Sequence, residues 1–279
     1  MSQFEDRYSI AQPIQVDELP DVEICVRTED FIDALDDEDI SDSEVSHLGV
    51  VPAAMHQRTL KQRLNLPRQA PGLSLMDERE FARSLIDSDS PPRLLDRTDR
   101  MLMIQRVLET HPALQQQFKQ VIRTPQDSLD SDVERARTRI ERLTNFHPDR
   151  ITALQQYAEP QHMIDDLIDV LVQLERLIRE WTTRYPSSDA LLRAATRRLT
   201  ATDGSVFADN YPSVESLRLG GLSTVSAALL DLLHVLELTT TVDVEIFGRP
   251  ASGPVLEEQL QNATVNTQHG QTVINHGEF

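Results

Sequence analysis

Cysteine, lysine, glycine and aromatic residues are all scarce in these 279 residues, and each scarcity excludes something. A lone cysteine, Cys25, makes an internal disulfide impossible and points to a reducing compartment. Close by stands Glu23, within an acidic stretch, which disfavours the thiolate a nucleophile would need. With 9 glycines the chain carries no GxxxxGK[ST], GxGxxG or GxSxG loop, and HExxH is absent too. No nucleotide-binding loop is expected. Aromatics at 5% and apolar residues at 39% imply a modest core with much surface around it.

Lysine is almost missing: Lys61 and Lys119 stand against 25 arginines. Arginine suits planar, bidentate contacts with carboxylates, so part of this bias reads as protein–protein pairing, with coding composition an equal explanation. Long hydrophobic runs are missing as well. The most apolar stretch, 222–238, is interrupted by Asp231, His234 and Glu237 and is too short to span a bilayer. Residues 1–10 are polar and charged, without an apolar signal core. The expectation is a soluble protein, cytoplasmic or carried in a particle, not secreted through a signal peptide and not held in a membrane.

What the chain has in excess is acid. The net charge is −19, and residues 1–50 alone carry 15 acidic and 2 basic side chains, hence −13, leaving −6 for the other 229. Phosphate binding needs clustered positive charge, so direct nucleic-acid binding through the general surface is not expected. Between residues 29 and 44 the acids repel one another, yet Phe31, Ile32, Leu35 and Ile40 punctuate them. Acidic-hydrophobic segments of this kind dock on partners; a solubilising tail is the plain alternative. Residues 51–75 reverse the sign, with Arg58, Lys61, Arg63 and Arg68 and no acid. That stretch reads as an ordered basic linker able to meet an acidic neighbour.

From 76 onward the pattern is helical. In residues 161–184, Met163, Leu167, Val170, Leu174, Leu177 and Trp181 recur at the spacing of one helical face. Ile164, Ile168, Leu171 and Ile178 widen that face, as a helix inside a bundle requires. Pro160 and Pro186 mark its ends, early aspartates and late arginines match its dipole. Ser90-Pro91-Pro92, His111-Pro112, Thr124-Pro125 and His147-Pro148 punctuate further helices. The 222–238 stretch, apolar on most sides, is expected at the bundle's centre, packed on 161–184. After it, Val242, Val244 and Ile246 alternate as a strand does, and 264–274 alternates again around His269-Gly270. A short β arm needs a sheet elsewhere, so Val265, Val273 and Ile274 are expected to meet a partner.

The fold class so read is mainly α. A multi-helix bundle at 76–240 follows an acidic arm at 1–50 and a basic linker at 51–75, and precedes a β-forming arm at 241–279.

Two short motifs resemble known families. Asp165-Asp166-Leu167-Ile168-Asp169 resembles the aspartate-rich helix of the prenyl and terpene synthases, which implies magnesium held by Asp165, Asp166 and Asp169 against a diphosphate. The same three acids also suit the positive start of a helix, and that reading is preferred. His147-Pro148-Asp149, after the arginine-rich helix of Arg135, Arg137, Arg139 and Arg142, resembles the HPD loop of J-domain co-chaperones. A proline helix break, with Asp149 in the first turn of the next helix, is the preferred reading. Asp231, His234 and Glu237 share a strip that lacks a fourth metal ligand and reads as a hydrogen-bonded polar stripe. The expected function is therefore non-enzymatic, with no cofactor. It is a structural or adaptor subunit of a large assembly, such as a virus or phage particle, binding protein neighbours in a homo- or hetero-oligomer through its arms. An acidic regulatory or assembly cofactor (scaffold, chaperone or polymerase cofactor) is the alternative, and a magnesium-dependent diphosphate enzyme a remote one.

Overall fold

The structure, a computed structural model, describes residues 22–27, 46–52, 57–59, 62, 72–86, 93–122, 129–157, 161–182, 184–222, 224–248 and 272–276. It is an α/β fold around a parallel sheet, not a helical bundle with arms. The strands are β1 (Val22–Arg27), β2 (His47–Val51), β3 (Leu73–Asp77), β4 (Ser216–Leu222), β5 (Asp243–Gly248) and β6 (Thr272–His276). They lie in the order β3-β2-β4-β5-β1-β6, every neighbouring pair parallel. The strand expected near 242–248 exists, but it pairs within this chain rather than waiting for another. Residues 272–276 likewise join the sheet beside β1. Parts of the acidic arm and basic linker are strands β1, β2 and β3.

The chain forms two compact units. One comprises Pro92–Ala190 with Ser226–Ala228; the other comprises the described parts of Val16–Pro91, Leu191–Val225 and Leu229–Phe279. In the sheet unit, register fixes what each face carries, because partners across a sheet point the same way. Leu48, Leu217 and Val244 form one row, and Val50, Leu219 and Ile246 the next; all six are at most 2% exposed. Burying each side chain contributes about 2 kcal/mol. The opposite face carries His47, Ser216 and Asp243, then Gly49, Arg218 and Glu245. It too is largely covered, so its polar groups bond one another. Arg218 Nε donates to Glu245 Oε2 at 2.9 Å, and His47 Nδ1 lies 2.7 Å from Ser216 Oγ.

At the end of β3 the chain turns directly into α1 (Glu78–Ser84). Asp77 accepts from the Arg79 and Glu80 backbone amides at 2.9 Å each, while Glu80 Oε2 accepts from Asp77 N at 3.2 Å. This reciprocal cap is the start signal that the Asp77–Glu80 spacing announces.

The helical unit holds α2 (Arg97–Thr110), α3 (Pro112–Ile122), α4 (Leu129–Thr144), α5 (Pro148–Tyr157) and α6 (Gln161–Trp181). Ile104, Val107, Phe118, Val133, Leu171 and Leu174 are fully buried in its core. Then α7 (Ser188–Ala201) and α8 (Ser205–Asn210) lead back to β4, and α9 (Ala227–Thr239) connects β4 to β5. The two helices expected to pack together belong largely to different units: α6 to the helical one, residues 229–239 of α9 to the sheet one. A helix apolar on most sides is what a crossover onto a sheet needs, just as a bundle centre would.

Burial around α6 is also rotated from the expected seam. Ile168, Leu171, Leu174 and Ile178 are its deepest residues, and Glu175 is buried with them. At about 100° per residue, Trp181 lies roughly 80° from Leu171 around the helix. It ends up 40% exposed.

Candidate nucleic-acid interface

Open parallel sheets bind ligands beyond the carboxyl ends of their strands, where the strand order reverses. Here the chain leaves β2 for β3 on one side and returns to β4 on the other, so the reversal lies between the ends of β2 and β4. Val51 and Pro52 close one strand. Gly220, Gly221 and Leu222 close the other around a register shift, with Gly221 at φ +72° and open space where a Cβ would stand. Residues 50–56 and 219–226 contain no lysine or arginine. At the start of α9, Ser226 Oγ donates to Asp189 Oδ1 at 2.7 Å, so a carboxylate already stands beside that helix start. Among the described residues, the ends of β2 and β4 offer a triphosphate no lysine or arginine.

The helical unit offers something different. Residues 92–190 hold 14 of the 27 basic side chains against 16 acids, a net −2 out of −19. Much of that charge cancels internally. Arg137, 1% exposed, donates through Nε to Glu175 Oε2 at 2.8 Å and reaches Glu141 Oε2 at 3.2 Å. Arg100 pairs with Glu134, and Arg179 Nε with Glu175 Oε1 at 2.9 Å, which leaves three arginines balanced by three glutamates. Burial alone would lower the Arg137 pKa; Glu141, Glu175 and Glu134 together outweigh it and hold the guanidinium firmly charged. Part of the arginine bias thus serves this interior, where planar guanidinium groups can each meet two carboxylates.

On the surface of the same unit, the last residue of α6 and one face of α2 come together. The Arg106 guanidinium carbon lies 5.7 Å from the centroid of the Trp181 ring, and the His111 ring lies 6.4 Å from it at 59°. His111 Nδ1 sits 2.9 Å from the Val107 carbonyl oxygen, so that nitrogen donates and the ring is held in place. Leu102, one turn before Arg106, is 58% exposed. Arg184 bonds Asp99 at 3.4 Å, and Gln105 donates to Glu109 at 3.0 Å. Arg106 itself has no carboxylate partner among the described residues. Three planar groups, one of them a cation, are therefore gathered at an exposed edge, where stacking is worth more than charge.

The residues singled out by sequence fare unevenly. Asp165 is half-buried, and Asp166 and Asp169 are exposed on α6; no group of three metal-ligating side chains occurs among the described residues. His147-Pro148 is the break between α4 and α5. Glu237 accepts from the Val244 amide at 3.1 Å, and Asp231 and His234 are likewise engaged, so that stripe bonds its surroundings. Arg58 is exposed. Phe31, Ile32, Leu35, Ile40, Lys61, Arg63 and Val265 lie outside the described residues, and Val273 and Ile274 are strand positions on β6. Trp181 carried a signal, as the lone tryptophan at a helix end, but its periodicity assigned it to the core.

A family model described as Halobacterial UvrD-like protein matches residues 13–275, and the chain belongs to that family. No curated protein matches the chain. This membership overturns the expectation of a structural subunit of a virus or phage particle, and of an acidic scaffold or chaperone: it points to helicase-related, DNA-linked work. No helix among the described residues is long and apolar enough to cross a membrane.

Proposed function

We propose, with membership of the halobacterial UvrD-like protein family as the premise, that this chain takes part in helicase-related DNA metabolism in the cytoplasm and contacts DNA without turning over nucleotide itself. The observation that carries this reading is the family match, which spans 13–275 and so runs through both units. The second half of the reading rests on chemistry. The 279 residues hold no GxxxxGK[ST] loop, and among the described residues the ends of β2 and β4 carry no cation to meet a γ-phosphate. Any strand separation the protein assists then draws its energy from a protein partner that hydrolyses nucleotide.

The acidity of the chain fits such work better than its total suggests. Most of the −19 lies outside residues 92–190, and that near-neutral unit is the part able to approach a polyanion. Fluorescence anisotropy with labelled single-stranded and duplex DNA, run alongside a phosphate-release assay with ATP, tests both halves. Saturable DNA binding without DNA-stimulated hydrolysis is expected. Failure to bind any form of DNA defeats the reading, and stimulated hydrolysis defeats its second half.

A further inference from the structure

We propose that Trp181, Arg106 and His111 form a stacking site for an unpaired nucleobase, so that this protein holds single-stranded rather than duplex DNA. The inference rests on the DNA-linked reading above and names the site and the form of DNA.

Trp181 is 40% exposed although it ends the most regular apolar helix of the chain. Large aromatic rings left in water are costly unless something covers them, and here one face already has a guanidinium against it. Arg106 and His111 both come from the α2–α3 corner, whose His111-Pro112 break fixes the imidazole at the edge of the indole. Bases stack on aromatic rings and on guanidinium planes, and this works for any base because every base has a π face. A base inside a duplex already has both faces covered and cannot use such a site. Leu102, one turn before Arg106 on α2, is also exposed, at 58%.

Charge decides between a stacking site and a phosphate groove. Arg106 lies over the ring, whereas Arg184, three residues after Trp181, is already bonded to Asp99. Among the described residues in contact with the ring, Arg106 is the cation that can meet a phosphate. A protein that grips many phosphates loses affinity steeply with salt, whereas one phosphate contact on single-stranded DNA gives a log–log slope of only about −0.7. Stacking is not screened by salt. The binding expected here is therefore single-strand selective and nearly flat in salt, the opposite of what a basic groove gives.

Trp181 is the single tryptophan of the chain, so emission excited selectively from tryptophan reports on this site alone. Titration of the full-length protein with a short oligo(dT) should quench that emission in step with the anisotropy of a labelled copy. W181A should weaken single-strand binding by roughly ten-fold, W181F by much less, and R106Q should remove most of the salt slope. Circular dichroism melts of each variant check folding, and the quenching of the unaltered protein stands even if W181A unfolds. DNA binding that leaves the emission unchanged and W181A unaffected overturns this site while leaving the proposed function intact. Preference for duplex overturns it as well. Absence of binding to any DNA takes the proposed function down with it. Quenching by a protein partner but not by oligo(dT) would make the surface a protein-docking face and end the proposal.

Discussion

Arg137 on α4 and Glu175 on α6 bond at 2.8 Å with both side chains at most 3% exposed. Glu175 also holds Arg179, and Arg137 also faces Glu141, whose other oxygen accepts from Ser187 Oγ at 2.8 Å. The pair therefore ties two helices and the loop after α6 through charges that water cannot reach. Removing Arg137 alone leaves three glutamates facing one another in the interior. R137M is expected to destabilise the protein by about 3–5 kcal/mol. Replacing Arg137 together with Glu141 and Glu175 by apolar residues of similar size should cost far less. Urea unfolding midpoints of the single and triple variants distinguish a needed charge pattern from a merely filled volume.

Gly204 follows α7 and precedes α8 at φ +76°, and its amide donates to the Leu199 carbonyl at 3.0 Å. A Cβ there would stand 2.1 Å from the Thr239 backbone oxygen at the end of α9. Backbone cannot swing aside as a side chain would, so G204A combines left-handed strain with a hard clash. A loss of about 3 kcal/mol or more is expected. Gly221 shares the positive φ, at +72°, but nothing lies within 4 Å of its Cβ position. G221A should cost only about 1 kcal/mol, the strain alone. Thermal melts of the two variants side by side check the difference.

Helix boundaries were legible in the sequence where proline writes them: His111-Pro112 and His147-Pro148 both fall at element junctions. Strand β5 was legible because Val242, Val244 and Ile246 alternate. The rest of the sheet was not. In β4, Ser216, Arg218 and two glycines interrupt the apolar residues, yet nearly the whole strand is buried. Arg218 is tolerated there only because Glu245 opposes it from the neighbouring strand, 27 residues later. Parallel pairing leaves no local trace of this kind. His47 meets Ser216 across 169 residues of chain, and no turn signal announces such a partner. With the sheet unseen, the helices could only be assembled into a bundle. The exposed edge of α6 was hidden for a related reason: a wide apolar arc specifies that a helix is buried, but not which of its borders faces water.

Tyr211, after α8, donates its hydroxyl to Ser84 Oγ at 2.6 Å, and Ser84 Oγ in turn donates to the Phe81 carbonyl at 2.7 Å, closing α1 against α8. The ring packs on Phe207 at 5.2 Å and on Phe81 at 6.3 Å. Burial pushes the phenol above its ordinary pKa, and the charge of Glu80 adds to this, against the Ser84 hydrogen bond. A raised pKa in the folded state means that the unfolded chain releases the proton first. Stability from this group is therefore intact below a pH of about 10 and falls as the pH rises through the folded pKa. Y211F should lose about 1 kcal/mol at neutral pH, the hydrogen bond to Ser84. Above pH of about 10 the gap between the two proteins should narrow, since phenylalanine has no proton to release. Urea midpoints measured from neutral to alkaline pH on both proteins check this, and a gap that widens with pH would show that the Tyr211 phenol is not the group being titrated.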